Sequence, residues 1–139
     1  MVSNYRDLIV WQKSMDLVLE VYRLSRHIPD EERFSLVDQM RRAAVSIPSN
    51  IAEGFGRESK AEFKRFLSIS SGSRLELQTQ LLICERLGYL HREQTRTAFL
   101  LTEEIGRMLH ALKKSIHQTD AKPARRGTRP VDCQLSTVD

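Results

Sequence analysis

An all-α fold, an antiparallel up-down-up-down bundle of four helices, is what this 139-residue sequence predicts, and three observations predict it. Apolar residues recur at alternating three- and four-residue spacings in four successive segments. Turn formers are scarce, with six Gly and four Pro, too few to punctuate a fold of many short strands. Hydrophobic residues make up 40% and charged residues 29%, a globular balance in a chain long enough for one core, over residues 1–118, but not for two.

The first helix, within residues 7–27, carries Leu8, Trp11, Met15, Val18 and Tyr22 on one stripe, which is read as the bundle seam. A second stripe, Val10, Leu17, Val21, Leu24 and Ile28, lies about a third of a turn away, with Ser14 and Ser25 between the two. A helix facing one core needs an apolar stripe only a little over about 100° wide. The surplus predicts that this helix also packs against something outside its own chain, most simply another copy.

Ile28-Pro29-Asp30 ends the first helix, because proline disfavours helical backbone in the residue before it; Asp30 is then the expected cap of a second helix beginning near Glu31. Its stripe of Val37, Met40, Ala44, Ile47, Ile51 and Phe55 runs through Pro48. An interior proline removes one backbone bond and costs about 3 kcal/mol. The unbroken stripe predicts a kink at Pro48 rather than a stop, with Gly54 and Gly56 ending the helix.

Ser59-Lys60-Ala61-Glu62 has the S-x-x-E pattern of a capping box and opens the third helix. Phe63, Phe66, Ser70, Ser73, Leu77, Leu81 and Cys84 form its inward stripe, and the small run Ser70-Ser71-Gly72-Ser73 lets a neighbouring backbone come close. Gly88 is the expected C-cap, Tyr89 to His91 a turn, and Arg92 to His117 the fourth helix, with Ala98, Leu101, Ile105, Met108 and Leu112 inward. Residues 119–139 build no core and read as a disordered basic tail carrying Lys122, Arg125, Arg126 and Arg129.

The residues exclude most chemistry. Cys84 and Cys133 stand far apart in no paired motif, which points to a reducing compartment, the cytoplasm, with no disulfide framework. No apolar run approaches a membrane span, and the first residues lack a secretory pattern, so no membrane partner is expected. His27, His91, His110 and His117 show no metal-ligand spacing, and no metal or other cofactor is assigned. Phosphate-cradling glycine loops and a nucleophile elbow are absent, and nothing pairs a nucleophile with an aligned base. No catalytic residue is named.

Two polar features remain. On the second helix Gln39, Arg42, Ser46, Asn50, Glu53 and Arg57 form a polar stripe beside the apolar one. It is either a salt-bridged ridge that also satisfies carbonyls around Pro48, or a polar contact at a subunit interface or ligand groove. The second feature is charge. The chain is +4 overall, and residues 36–74 hold Arg41, Arg42, Arg57, Lys60, Lys64, Arg65 and Arg74 against Asp38, Glu53, Glu58 and Glu62, whereas residues 1–35 hold five basic and six acidic groups. That concentration is either an ordinary solvated face or a surface for a phosphate backbone, met through point charges and guanidinium forks rather than base readout.

The run Arg42-Ala-Ala-Val-Ser-Ile-Pro-Ser-Asn-Ile-Ala-Glu-Gly-Phe-Gly-Arg57 resembles the four-helix-bundle proteins encoded in intervening sequences of bacterial 23S ribosomal RNA. The similarity continues in Asp7-Leu-Ile-Val-Trp-Gln-Lys13, Val21-Tyr22, Glu32-Arg33-Phe34, Gln39, Phe66-Leu67, Gly72-Ser73, Glu76-Leu77 and Gln80-Leu81, so that it covers roughly residues 5 to 118. The resemblance implies a left-handed bundle that assembles as a homopentamer and has no known enzymatic activity. A related bundle is the accessory protein of the reverse transcriptase in diversity-generating retroelements, where a basic pentamer contacts polymerase and nucleic acid. The expected function is therefore a non-enzymatic oligomer that binds structured nucleic acid, RNA foremost, through Arg41, Arg57, Lys60, Lys64, Arg65 and Arg74. The alternative is a scaffold or accessory subunit for a protein partner such as a reverse transcriptase.

Overall fold

Four helices follow one another with short connections: α1 (Ile9–Ser25), α2 (Leu36–Phe55), α3 (Lys60–Arg86) and α4 (Arg92–Ala121). The computed structural model describes residues 2–121, with side chains as far as residue 116. Each helix packs on its neighbours in the chain, and α1 closes the square against α4. Short connections between packed neighbours make the bundle antiparallel, as the spacing predicts. α4 runs three residues past the expected boundary at 118; the rest of the expected tail lies outside the described residues.

The α1 seam is the reverse of the one expected. Val10, Leu17, Val21, Leu24 and Ile28 are buried, while Trp11 and Val18 are half-buried and Met15 and Tyr22 are exposed; of the expected seam only Leu8 is fully covered. Branched aliphatic side chains bury without leaving a polar atom dry, whereas Trp and Tyr keep a wet tip. The flanking serines widen the aliphatic stripe, because the Ser14 and Ser25 hydroxyls donate to the Val10 and Val21 carbonyls, each at 2.7 Å, and can then be buried. Trp11 instead leans edge-on against Tyr5, with ring centres 5.3 Å apart.

α2 also starts later than expected. Asp30–Glu32 forms a separate 3-10 turn, and Ser35, not Asp30, precedes the first helical residue. The reason lies in Glu32, whose carboxylate accepts from Ser35 Oγ at 2.6 Å and from Tyr89 Oη at 2.8 Å, tying this loop to the α3–α4 connection. Past that loop α2 runs unbroken through Pro48, whose ring is buried, to Phe55. Gly54 is a packing residue, not a terminator: a Cβ there would stand 2.7 Å from Phe66 Cβ.

α3 follows its sequence closely. Ser59 Oγ accepts from the Glu62 amide at 3.0 Å, as the capping pattern requires. At the other end Gly88, at φ 81°, sits where an L side chain is strained; the Tyr89 amide reaches the Cys84 carbonyl at 2.9 Å and the Gly88 amide that of Glu85 at 3.0 Å, a Schellman closure. Between these ends the small run brings α2 close, with Ser70 Oγ donating to the Ile47 carbonyl at 2.9 Å. The core draws on all four helices, with Leu17, Met40, Ile47, Leu67, Leu77, Leu81, Ile105 and Leu112 at its centre; Leu101 is only half-buried.

Candidate functional site

The polar stripe of α2 divides into three parts. Gln39 and Arg42 are exposed, and Arg42 is paired with Asp38 at 3.0 Å. In the middle, Asn50 Nδ2 donates to the Ser46 carbonyl at 2.8 Å and to Ser46 Oγ at 2.9 Å, and Ser46 Oγ lies 2.7 Å from Ser73 Oγ of α3. These half-buried groups tie two helices together. At the far end Glu53 accepts from Arg57 at 2.7 Å. Asn50 and Glu53 thus engage different partners, Asn50 the Ser46 backbone and hydroxyl and Glu53 the Arg57 guanidinium.

The corner where α2 meets α3 gathers four of the six basic candidates. Arg57 and Arg65 both stack on the Phe66 ring, their Cζ atoms 4.9 and 4.7 Å from its centre. Arg65 forks onto Glu62 at 3.2 and 3.3 Å. Its hydrogen bond to Arg65 holds the Glu62 carboxyl below the usual range, with the fields of Arg65 and Arg57 adding to it, and Arg65 is raised in turn by Glu62 and then by Glu53. Lys60 is exposed and Lys64 half-buried in the first two turns of α3. The corner offers cations with apolar backing, but its two guanidiniums already face carboxylates.

Arg41 and Arg74 stand elsewhere. Arg41 lies on the α1 side of α2, its Cζ 4.4 Å from the Tyr22 ring centre and its Nε donating to Ser25 Oγ at 3.4 Å. Arg74 bridges α3 to α4, donating from Nη1 to the Thr102 carbonyl at 3.1 Å, while Gln78 Nε2 donates to Thr102 Oγ1 at 2.7 Å. Burial pulls Arg74 below its ordinary value and Glu103 opposes the shift. The six residues therefore form one cluster of four and two separate helix-bridging arginines.

Sequence reasoning misses two features. Phe66 reads only as core, because its role as a platform depends on Arg57 arriving from the α2–α3 connection. Phe34 enters only through the family resemblance, yet it is 86% exposed in the α1–α2 loop, with the Arg33 guanidinium 5.5 Å from its ring centre. Among the described residues no group of three His, Cys, Asp or Glu could hold a metal ion, and no helix is long and apolar enough to cross a membrane.

The order and lengths of these helices, with the Ser46–Asn50 knot on α2, are accompanied by a sequence match over residues 6–111 to the profile described as 23S rRNA-intervening sequence protein. The chain belongs to that family. A crystal structure of a protein of unknown function from the S23 ribosomal protein family, from Bacteroides thetaiotaomicron, is similar with a TM-score of 0.70 at 27% identity. The similarity covers 76% of this chain and 98% of that one. No curated protein matches the chain. For this 23S rRNA-intervening sequence protein, the family and its structural neighbour indicate no enzymatic class.

Proposed function

We propose that this family member is a non-enzymatic module of the bacterial cytoplasm that assembles with copies of itself, as a pentamer, and holds structured nucleic acid, RNA foremost, by its phosphate backbone at the α2–α3 corner. The observation that carries the reading is the stacking of Arg57 and Arg65 on Phe66, which fixes two guanidinium forks at an exposed corner with Lys60 and Lys64 beside them. Held this way, each fork loses little freedom on meeting a phosphate. Glu53 and Glu62 compete for the same forks, so one copy binds weakly. Assembly supplies the rest, because linked weak sites act at high effective concentration. The exposed apolar residues of α1, with Leu19 at 69%, support self-association.

Fluorescence anisotropy with a labelled RNA hairpin, and with DNA of the same sequence, across a salt series tests this. Affinity should fall steeply with salt. Lys60→Glu with Lys64→Glu should weaken binding by about tenfold or more and flatten the salt slope, by roughly 0.7 to 0.9 for each phosphate that is no longer neutralised, with the helical circular dichroism unchanged. Unchanged affinity at fixed salt would remove the corner from the site. Tight capture of one protein with indifference to RNA would make the chain an accessory subunit, for instance of a polymerase.

A further inference from the structure

We infer that the α1/α2 face of one copy docks against the α3/α4 face of the next, with Phe34 seated in the groove beside Leu100. The inference rests on the proposed self-association and names its surfaces. Phe34 is the most exposed large apolar side chain among the described residues. Its loop is fixed, because Glu32 is held by Ser35 at 2.6 Å and by Tyr89 at 2.8 Å, and an aromatic presented from a rigid loop loses little entropy on docking.

The receiving groove, about 860 Å³, lies between the end of α3 and the start of α4 and is lined by Leu82, Phe99 and Leu100, with Glu85, Glu93 and Arg96 in its walls. Charge is complementary. Arg33 travels with the Phe34 ring toward Glu85 and Glu93, and the acidic Asp30 and Glu31 approach Arg96 and its neighbour Arg92.

Position agrees as well. In the closed square of helices the α1/α2 face is opposite the α3/α4 face. The Phe34 loop, the end of α3 and the start of α4 lie at one end of the antiparallel bundle. Copies related by rotation about an axis along the bundle do not shift along it, so surfaces that meet must lie at one level, as these do. Exposed Met15, Leu19 and Val45 on one face, and Leu75 and Leu82 on the other, continue the contact along the bundle. Two different patches make a head-to-tail interface, which closes into a ring when the rotation permits.

The test uses the full chain with Cys133→Ser. Phe34→Cys and Leu100→Cys proteins are mixed and treated with a short bis-maleimide, and the mass of wild type and of Phe34→Ser is measured by light scattering. The mixture should yield linked dimers that neither variant forms alone, and Phe34→Ser or Leu100→Glu should raise the dissociation constant of the assembly by about tenfold or more, as removal of a buried aromatic anchor does. An assembled wild type with no link in the mixture and an unchanged mass for Phe34→Ser overturns these surfaces while self-association stands. Linking of Phe34→Cys to itself overturns them in favour of a two-fold contact. A wild-type monomer at every concentration overturns self-association itself.

Discussion

A Cβ placed on Gly106 would stand 2.5 Å from Cζ of Arg74: the α4 glycine is the space in which the α3 guanidinium lies. Gly106→Ala gains about 1 kcal/mol of helix propensity. It also displaces the guanidinium from the Thr102 carbonyl, and a hydrogen bond from a charged group is worth about 1.5 to 3 kcal/mol. The net expectation is a loss of about 1 kcal/mol in urea unfolding, turning to a gain of about 1 kcal/mol when Arg74→Ala is already present. Additive effects in that double-mutant cycle would show that the two residues do not interact.

Gly54→Ala should be costlier than Gly56→Ala. The Gly54 Cβ would meet Phe66 Cβ at 2.7 Å and Phe63 Cδ1 at 3.1 Å, and Phe66 Cβ cannot swing aside because it is fixed to the α3 backbone. Overpacking of this kind costs about 1 to 3 kcal/mol. At Gly56 the nearest atom would be the Glu53 carbonyl oxygen at 3.6 Å, and the expected change is within about 0.5 kcal/mol. Equal unfolding midpoints for the two variants would contradict the close approach of α2 to α3.

These glycines show where sequence stops. Periodicity places the α3 stripe, and local chemistry places its ends, because a serine three residues before a glutamate and a glycine after the last apolar position act within one turn. Periodicity cannot choose between the two stripes of α1. Both are apolar, and the choice is made by serine hydroxyls that satisfy themselves on their own helix, at Ser14 and Ser25. The basic residues are visible as a count, but their grouping is not: Arg41 and Arg74 are claimed by Tyr22 and by Thr102 on other helices. What brings Arg57 and Arg65 together is a ring between them, and that neighbourhood exists only once α2 and α3 are packed.

The Glu32–Tyr89 bond should make stability depend on pH at both ends. Hydrogen bonds from Ser35 and then Tyr89 hold Glu32 below the ordinary carboxyl value, so its contribution is present above about pH 4.3 and is lost as pH falls through the lower folded value. Tyr89 is raised by its hydrogen bond to Glu32, so its contribution is present below about pH 10 and is lost as pH rises through the higher folded value. Tyr89→Phe should reduce both the acid and the alkaline slope of the melting temperature, leaving on the alkaline side the part that the raised Cys84 thiol contributes. Slopes identical to wild type would mean that the bond does not hold the loop in solution.

Cys84 should be inert until the bundle opens. Its thiol is buried with Sγ 3.5 Å from Met40 Sδ, and burial, with the fields of Glu32 and Glu85, pushes it up to about 11. The reactive thiolate is then scarce at about pH 8. In a Cys133→Ser protein, labelling by a disulfide reagent should be slow in buffer and rise with urea along the unfolding curve. Immediate stoichiometric labelling in buffer would place the thiol at the surface.

Asn50 is the sharpest test of the polar stripe, because its amide acts as a donor. Asn50→Ala loses the two bonds to Ser46 but leaves the Ser46–Ser73 pair, and alanine regains some helix propensity, so the expected cost is under about 1 kcal/mol. Asn50→Asp keeps the shape and sets a carboxylate oxygen against the Ser46 carbonyl oxygen where an N–H had been. The expected cost at about pH 7 is about 1 to 3 kcal/mol, larger than for alanine. Repulsion raises the folded pKa of that aspartate above its unfolded value, so the deficit should shrink as pH falls, when the protonated acid can donate again. If the groove reading of the stripe were right and the amide faced a ligand instead, alanine and aspartate would be equally mild in unfolding experiments and differ only in binding.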